Sequence, residues 1–417
     1  MELKPGYKQT EIGVIPEAWE VKTLGSITSL LTNGFVGTAT SAYVNNDDGI
    51  LYIQGYNIQE NGFNFHGIKR VSKSFHARNK KSCLQPGDLL TIQTGDIGVT
   101  AVVPPVLAGS NCHALVISRL DKRVSEPSFY SQYFNSERGR VAFKEIETGS
   151  TMKHLNVGDM KRLFLPSPPV EEQRAIAGAL SDVDALIGAL NRLIAKKRDL
   201  KQAAMQRLLT GKTRLPGFGG EWGVKQLGSL GTFRGGSGFP TKYQGDTKSD
   251  YPFFKVSDMN NEGNSTFMIS SNNWISASIR KQMGANTFPA NTIVFAKIGA
   301  AIFFERKKIL SQESCLDNNM MGFVIDEGAV YHRFVHYLFL NIHLGKLVAA
   351  TALPSLNGRE IAALVYGIPT LPEQTAIAAV LSDMDAEIAA LEARCNKTRA
   401  LKQGMMQELL TGKARLL

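Results

Sequence analysis

The sequence has little cysteine and no long apolar run. Its 417 residues include four cysteines, Cys83, Cys112, Cys315 and Cys395, none in a Cys-x-x-Cys pair. This excludes a dense disulfide framework, argues against a structural zinc site and predicts a cytoplasmic protein. No stretch of about 18 apolar residues occurs, and the first residues lack an apolar signal core, so we expect neither secretion nor membrane spanning.

Enzyme signatures are also missing, each at a specific residue. Gly211-Lys212-Thr213 resembles the end of a phosphate-binding loop, but Gln206 stands where the first glycine belongs. Residues 332–336 have the two-histidine spacing of a zinc protease but carry Arg333 in place of the general base. Neither an Asn-Pro-Pro-Tyr adenine-methylation motif nor a Phe-x-Gly-x-Gly cofactor loop occurs. We therefore predict no catalytic residue, no metal site and no cofactor in this chain.

The charge balance is basic, with 47 lysines and arginines against 37 acidic residues and a formal net charge of +10. Such an excess favours a polyanionic partner, because cationic side chains release the counterions of a nucleic acid. Charge alone fits an ordinary basic protein equally well, so its meaning depends on the architecture.

The chain contains a long internal repeat. Residues 172–215 and 373–416 align without a gap over 44 positions, of which 27 are identical. A shorter match joins residues 17–26 to 220–229. The order predicts a module at 1–167, a long helix at 168–214, a second module at 215–369 and a second long helix at 370–417. Since Pro5-Gly6-Tyr7 resembles the Pro216-Gly217-Phe218 that follows the first helix, we expect the end of the second helix to lie near the N-terminus.

Both repeated segments have the pattern of amphipathic helices. Prolines and glutamates mark their first turns, and Gly211 and Gly412 follow their last turns. Apolar residues recur at alternating spacings of four and three, which predicts the seam of an antiparallel coiled coil between the two helices. The predicted seam comprises Ile176, Leu180, Val183, Ile187, Leu190, Ile377, Leu381, Met384, Ile388 and Leu391.

Two polar residues, Lys197 and Thr398, interrupt these seams, which predicts a stutter with Leu200 and Leu401 resuming on a shifted phase. The alternative is that each helix packs on its own module.

The modules have a mixed α/β pattern. Short strands are predicted at 89–92 and 114–117 in the first module and at 292–295 and 321–325 in the second. Amphipathic helices are predicted at 129–143 and 331–348. The modules therefore share a fold while their surface residues differ.

Polar and aromatic residues in the predicted loops of both modules are candidates for contacts with DNA bases. Reading base edges requires amides, cations, hydroxyls and aromatic rings on loops that a rigid scaffold holds. In the first module the candidates are Gln54, Tyr56, Asn57, Gln93, Thr94, Ser150, Lys153 and His154. In the second module they are Arg234, Ser237, Lys242, Tyr243, Gln244, Lys255, Ser257 and Lys297. Any one of them fits an ordinary solvated loop as well.

The layout resembles the specificity subunit of type I restriction-modification systems over the whole chain. The resemblance rests on Gly13-Val-Ile-Pro16 with Trp19, on the Pro-x-x-Glu-Gln start of the first long helix with its shorter copy Leu371-Pro-Glu-Gln374, and on the Leu-Leu-Thr-Gly-Lys end of both helices. It implies two target-recognition domains separated by an antiparallel coiled coil, with an internal pseudo-two-fold repeat.

The resemblance also implies partners and a role. Each recognition domain is expected to read one half of a bipartite, asymmetric site in double-stranded DNA. The helices are expected to dock two adenine-N6 methyltransferase subunits, which hold S-adenosylmethionine, and a motor-nuclease subunit completes the restriction complex in this family. We expect the helix faces that bear Asp182, Asp383, Lys201 and Lys402 to hold these partners. The alternatives are a coiled-coil protein scaffold without sequence-specific DNA binding and an enzyme that itself cuts or methylates DNA.

Overall fold

The computed structural model describes residues 5–348 and 353–416. These residues form two compact units. The first unit comprises the described residues of Met1–Arg192 and Glu392–Leu417, and the second comprises those of Leu193–Leu391. No helix within the described ranges is both long enough and apolar enough to cross a membrane.

The first unit contains thirteen strands and four short helices among its described residues. The strands are β1 (Tyr7–Thr10), β2 (Gly13–Pro16), β3 (Glu20–Thr23), β4 (Thr28–Asn33), β5 (Ile50–Ile53), β6 (Ile58–Gln59), β7 (Gly62–Phe63), β8 (Lys69–Val71), β9 (Leu89–Ile92), β10 (Thr100–Val102), β11 (Asn111–Cys112), β12 (Leu115–Leu120) and β13 (Phe164–Ser167). The helices are α1 (Lys73–Arg78), α2 (Pro127–Asn135), α3 (Glu137–Ile146) and α4 (Val157–Lys161). The main sheets have the orders β10-β9-β12-β4 and β11-β5-β8, and β3 pairs with β13.

Two long helices run through both units. Helix α5 (Val170–Leu208) belongs to the first unit up to Arg192 and to the second unit from Leu193 onward. Helix α9 (Leu371–Leu409) belongs to the second unit up to Leu391 and to the first unit from Glu392 onward. The sequence therefore predicted correctly that both repeated segments are long helices.

The second unit repeats the frame of the first. Its strands are β14 (Gly223–Gln226), β15 (Gly231–Gly235), β16 (Tyr251–Phe254), β17 (Phe267–Met268), β18 (Trp274–Ile275), β19 (Thr287–Phe288), β20 (Ile293–Ala296), β21 (Lys307–Leu310), β22 (Ser314–Leu316), β23 (Met320–Ile325) and β24 (Val365–Ile368). Its short helices are α6 (Ala277–Met283), α7 (His332–Leu340) and α8 (Gly358–Ala362). The sheet orders are β15-β23-β20-β21-β17 and β18-β16-β22-β19, with β14 paired to β24. The predicted mixed α/β fold with an internal repeat is confirmed.

The predicted module helices are shorter than expected. The single helix predicted at 129–143 is two helices, because Ser136 is extended and its hydroxyl caps α3 by accepting from Gly139 N at 3.2 Å. A Cβ on Gly139 would lie 2.1 Å from Tyr133 O, so only glycine allows α3 to pack this closely on the end of α2. The helix predicted at 331–348 ends at Leu340, and a short 3-10 turn follows at Leu344–Leu347. Periodicity gave the position of these helices but not their ends.

The two helical segments lie antiparallel inside each unit. In the first unit Lys402 Nζ pairs with Asp184 Oδ1 at 2.7 Å, and Arg399 Nη2 donates to Asn191 Oδ1 at 2.9 Å. In the second unit Lys197 Nζ pairs with Glu387 Oε1 at 2.6 Å, and Lys201 pairs with Asp385. In each case the partner number falls as the residue number rises, which is the mark of antiparallel packing.

Burial of the predicted seam residues varies along the helices. Ile176, Leu180, Ile377 and Leu381 are at most 1% exposed. They pack both in the core of their own module and against the end of the other helix, Leu409–Leu410 in the first unit and Leu208–Leu209 in the second. Leu190 and Ile388 are also buried, and the remainder are half-buried, namely Val183, Ile187, Met384 and Leu391. The alternatives weighed from the sequence thus coexist, since these helices contact both their module and each other.

The predicted stutter is wrong. Leu200 and Leu401 are 47% and 60% exposed, whereas Thr398 is 8% exposed. The spacing of four and three continues unbroken through Lys197 and Lys201 in α5, and through Thr398 and Lys402 in α9. Lysine is tolerated at these positions because its aliphatic stem packs along the seam while its ammonium group meets a carboxylate of the other helix.

Candidate functional site: helix junctions and recognition loops

The repeated motifs meet in an ion-paired junction in the first unit. Glu172, at the start of α5, is fully buried, and Arg415, just beyond α9, holds it with Nε to Oε1 at 2.5 Å and Nη2 to Oε2 at 2.8 Å. Trp19 Nε1 donates to Glu172 Oε2 at 2.9 Å, and the Arg415 guanidinium lies 6.0 Å from the Trp19 ring centroid. The hydrogen bonds to Glu172 raise the pKa of Arg415. Tyr7 OH donates to Gly412 O at 3.0 Å, so the end of α9 lies beside the N-terminal strands, as predicted.

The second unit contains a corresponding junction in which the tryptophan makes no hydrogen bond to the glutamate. Arg214 binds Glu373 through Nε to Oε1 at 2.5 Å and Nη2 to Oε2 at 2.6 Å, and Glu373 is 1% exposed. Trp222 occupies the place of Trp19, 5.6 Å from the Arg214 guanidinium, but its buried Nε1 has no hydrogen-bond partner among the described residues. Each junction is therefore one ion pair between the two repeated motifs. The glutamate comes from the Glu-Gln start of one helix, and the arginine comes from the Gly-Lys-x-Arg segment at the end of the other helix.

The glutamine of each Glu-Gln pair satisfies backbone groups around the helix start. Gln173 Nε2 donates to Pro168 O at 2.8 Å, and its Oε1 accepts from Glu126 N at 2.8 Å. Gln374 does the same with Pro369 O at 2.9 Å and Tyr331 N at 2.8 Å. Both amides are almost fully buried, so each glutamine fixes a module to its long helix.

In each duplicated Ser-Asp-x-Asp segment, the second aspartate binds a lysine of the other long helix and a side chain of its own module. Asp184 accepts from Gln132 Nε2 at 2.8 Å in addition to its pair with Lys402. Asp385 accepts from Tyr337 OH at 2.7 Å in addition to its pair with Lys201. The expectation that Lys201 and Lys402 belong to an exposed partner face is therefore wrong, because their side chains are only 18% and 12% exposed. Asp182 and Asp383 are exposed.

Several candidate base-reading residues of the first module are engaged inside it. Asn57 is 1% exposed, donates to Asn64 O at 2.9 Å and accepts from Gln54 N at 3.0 Å, so its proposed contact with a base is corrected to a structural role. Gln54 Nε2 donates to Tyr43 OH at 3.2 Å. Tyr56 keeps its ring half exposed while its hydroxyl donates to Gly67 O at 2.8 Å, and burial raises the pKa of that hydroxyl.

The hairpin around residues 148–154 presents three further candidates. His154 pairs with Thr148 through both backbone amides, at 2.9 and 3.0 Å, which closes the loop. Lys153 pairs with Glu147 at 3.2 Å but remains 56% exposed, and Ser150 is exposed at the tip.

The candidates of the second module divide in the same way. Gln244 donates to Phe239 O at 2.8 Å and accepts from Lys255 Nζ at 3.2 Å, and Ser237 Oγ accepts from Asn286 N at 3.1 Å, so these polar atoms are already used. Lys242, beside the Tyr243 ring, and Ser257 are exposed. Arg234 lies over the Phe288 ring, and its buried Nε has no partner among the described residues.

Among the candidates whose side chains form no hydrogen bond or ion pair within the described residues, three follow central strands of the sheets. Gln93 and Thr94 follow β9, and Lys297 follows β20. Lys297 also lines an open cleft of about 600 Å3 together with Phe233, Asn357 and Arg359. Their availability could not be read from the sequence, because it depends on which neighbours the fold brings to each polar group.

No group of three or more histidine, cysteine or acidic side chains that could hold a metal ion occurs within residues 5–348 and 353–416. His336, one of the two histidines at zinc-protease spacing, instead lies in the core, where Nε2 is 3.0 Å from Lys307 O.

The chain is similar to known proteins over nearly its whole length. The type I restriction modification DNA specificity domain matches it twice, at residues 16–197 and 219–399. The specificity subunit of the type I restriction enzyme MjaIX from Methanocaldococcus jannaschii is 23% identical over 433 residues, which cover 98% of this chain and 96% of the relative.

Solved structures share the fold. A chain from a type I restriction-modification system studied for its assembly and conformational transition superposes with a TM-score of 0.59 at 15% identity, covering 96% of this chain and 99% of that one. The type I restriction-modification S subunit from M. genitalium gives a TM-score of 0.58 at 14% identity, with 98% of both chains covered.

Proposed function

Because this chain belongs to the type I restriction-modification DNA specificity family, we propose that each of its two units reads one half of a bipartite site in double-stranded DNA. The chain is a type I specificity subunit. In this proposal it is not catalytic, and it directs an adenine-N6 methyltransferase to the site.

The observation that carries the proposal is the repetition of one scaffold with two different sets of loop residues. The central strands, the helix junctions and the buried glutamines recur in both units. The polar residues after equivalent strands differ, as Gln93 and Lys297 do. Two rigid supports with unlike loops suit the reading of two unlike half-sites, since base edges are distinguished by the donor and acceptor groups placed against them. The net charge of +10 supports a polyanionic ligand.

The partners in this proposal are two methyltransferase subunits, which bind S-adenosylmethionine and dock on exposed faces of α5 and α9. In systems that also restrict, a motor-nuclease subunit joins them. The long helices support this role because much of their surface outside the helix–helix seam is exposed.

Co-expression with the methyltransferase subunit is expected to place N6-methyladenine at a single bipartite motif. The two halves should differ in sequence and be separated by a constant gap. Long-read sequencing of the host genome measures this directly, with the methyltransferase expressed alone as the control. A stable complex without new methylation would favour the protein scaffold, and methylation at an unsplit site would contradict reading by two separate units.

Reversing both exposed aspartates of the duplicated segments is expected to weaken docking of the methyltransferase. The variant Asp182→Lys, Asp383→Lys should reduce affinity by roughly tenfold or more, because like charges across an interface cost several kcal/mol. The matched control is Asp48→Lys, Asp246→Lys, which makes the same charge change at exposed loop positions. Titration of labelled subunit into each variant gives the dissociation constants. Equal constants for both variants would remove Asp182 and Asp383 from the interface.

A further inference from the structure

Gln93 and Lys297 occupy the same place in the two units. Strand β9 lies between β10 and β12, and β20 lies between β21 and β23, with antiparallel pairing throughout. Gln93 directly follows β9, and Lys297 directly follows β20. The backbone oxygen of Gln93 accepts from Leu155 N at 3.0 Å, and that of Lys297 accepts from Leu356 N at 2.9 Å. A central strand and an equivalent backbone hydrogen bond therefore position the backbone of both residues in the same way.

The side chains at this position have no structural partner within the described residues. The Oε1 atom of Gln93 is buried without a hydrogen bond, which is costly unless a ligand supplies the missing group or reorients the amide. Lys297 forms neither a hydrogen bond nor an ion pair through its side chain, and it is half-buried beside an open cleft. The Cα of Gly235 lies beside the ammonium group, since a Cβ built there would lie at an ordinary contact distance of 3.5 Å from Lys297 Nζ.

Resting on the proposed function, we propose that Gln93 and Lys297 are the specificity-determining residues of the two recognition units. The amide of Gln93 selects adenine, because a carboxamide matches the N6 donor and N7 acceptor of that base. The ammonium group of Lys297 selects guanine through its O6 and N7 acceptors.

A contact with the phosphate backbone explains this pair less well. An amide N–H donates to phosphate as an ammonium group does, so a phosphate contact gives no reason for the side chain at this position to differ between the two units. Two half-sites of different sequence instead require different side chains at equivalent positions. The amide of Gln93 and the ammonium group of Lys297 meet this requirement.

Reciprocal substitutions test the proposal in the complex with the methyltransferase subunits. Gln93→Lys is expected to change one base pair of one half-site from A·T to G·C, and Lys297→Gln to change one base pair of the other half-site from G·C to A·T. Gln9→Lys and Lys225→Gln are the matched controls, since they make the same changes at exposed positions and should leave the motif unaltered. Methylome mapping gives the motif of each variant.

Alanine variants provide a second readout by DNA-binding competition with site variants at each base pair. Gln93→Ala and Lys297→Ala are expected to reduce discrimination at a single base pair by roughly 5- to 150-fold. An unchanged motif in both reciprocal variants, or an equal loss of affinity for all sites in both alanine variants, would overturn the assignment while the bipartite wild-type motif still supports the proposed function. A wild-type complex without sequence preference would overturn both.

Discussion

Replacing Arg214 with alanine is expected to lower the free energy of unfolding of the second unit by about 3–5 kcal/mol, because it leaves the buried Glu373 carboxylate without a cation. Glu373 has no tryptophan donor to replace Arg214, since Trp222 Nε1 has no partner among the described residues. Arg214 also holds Gly219 O and Gly220 O, at 2.9 and 2.5 Å, so the loop after α5 loses its anchor as well.

The equivalent change in the first unit, Arg415→Ala, is expected to cost less. Trp19 Nε1 still donates to Glu172 in that variant, and a hydrogen bond to a charged group is worth about 1.5–3 kcal/mol. The order of the two losses thus tests two differences between the junctions, the Trp19 donor in the first unit and the Arg214 bonds to Gly219 O and Gly220 O in the second.

Hydrogen exchange measured peptide by peptide separates the two units in the intact chain. The controls are Arg207→Ala and Arg394→Ala, at exposed helix positions, which should change stability by no more than about 0.5 kcal/mol. Adding Glu373→Gln to Arg214→Ala should recover part of the loss, because no buried charge then remains. Losses below about 1 kcal/mol for both junction arginines would show that these pairs do not hold the helix ends.

Acidification is expected to destabilise the second unit through His336. Burial lowers the pKa of this imidazole to about 4 from its ordinary value of 6.5. Its Nε2 donates to Lys307 O, and the buried Nδ1 has no partner within the described chain, so a second proton would have no acceptor. The fold therefore holds His336 neutral.

The direction of the effect follows from proton binding. Above pH 6.5 His336 is neutral in both the folded and the unfolded chain and contributes no pH dependence. Between pH 6.5 and about 4 the unfolded chain binds the proton and the folded chain does not, so the free energy of unfolding falls as the pH falls. The free energy of unfolding falls by about 3 kcal/mol in all, because the pKa of about 4 in the folded chain lies below the ordinary value of 6.5.

The comparison of wild type with His336→Gln isolates this contribution from the carboxylates that titrate in the same range. Hydrogen exchange of α7 at several pH values should show the variant losing less stability than wild type between pH 6.5 and 4. His343→Gln, at an exposed position, should follow the wild-type curve. Parallel curves for wild type and His336→Gln would mean that His336 is not kept neutral by the fold.

The recognition loops show where prediction from sequence stops. Asn57 and Gln93 are both amides beside apparent strand ends, and residue type alone treats them alike. The structure buries Asn57 among backbone partners and leaves the Gln93 amide unpaired. Whether a polar group finds a hydrogen-bond partner depends on residues that are distant in the chain. Leu155, whose amide binds the backbone oxygen of Gln93, is such a residue, and a local sequence pattern does not include it.

The repeat, the two long helices and the mixed α/β character of the modules could be predicted from the amino-acid order, because they depend on local spacing and on residues that start or stop a helix. The orientation of Lys201 and Lys402 into the seam could not be predicted in this way, since it depends on Asp385 and Asp184 of the other helix. The tertiary structure likewise joins Arg214 to Glu373 and Arg415 to Glu172, which stand far apart in the chain. Hydrophobic periodicity identifies a buried face, but a buried charge is tolerated only where the fold places its counter-charge.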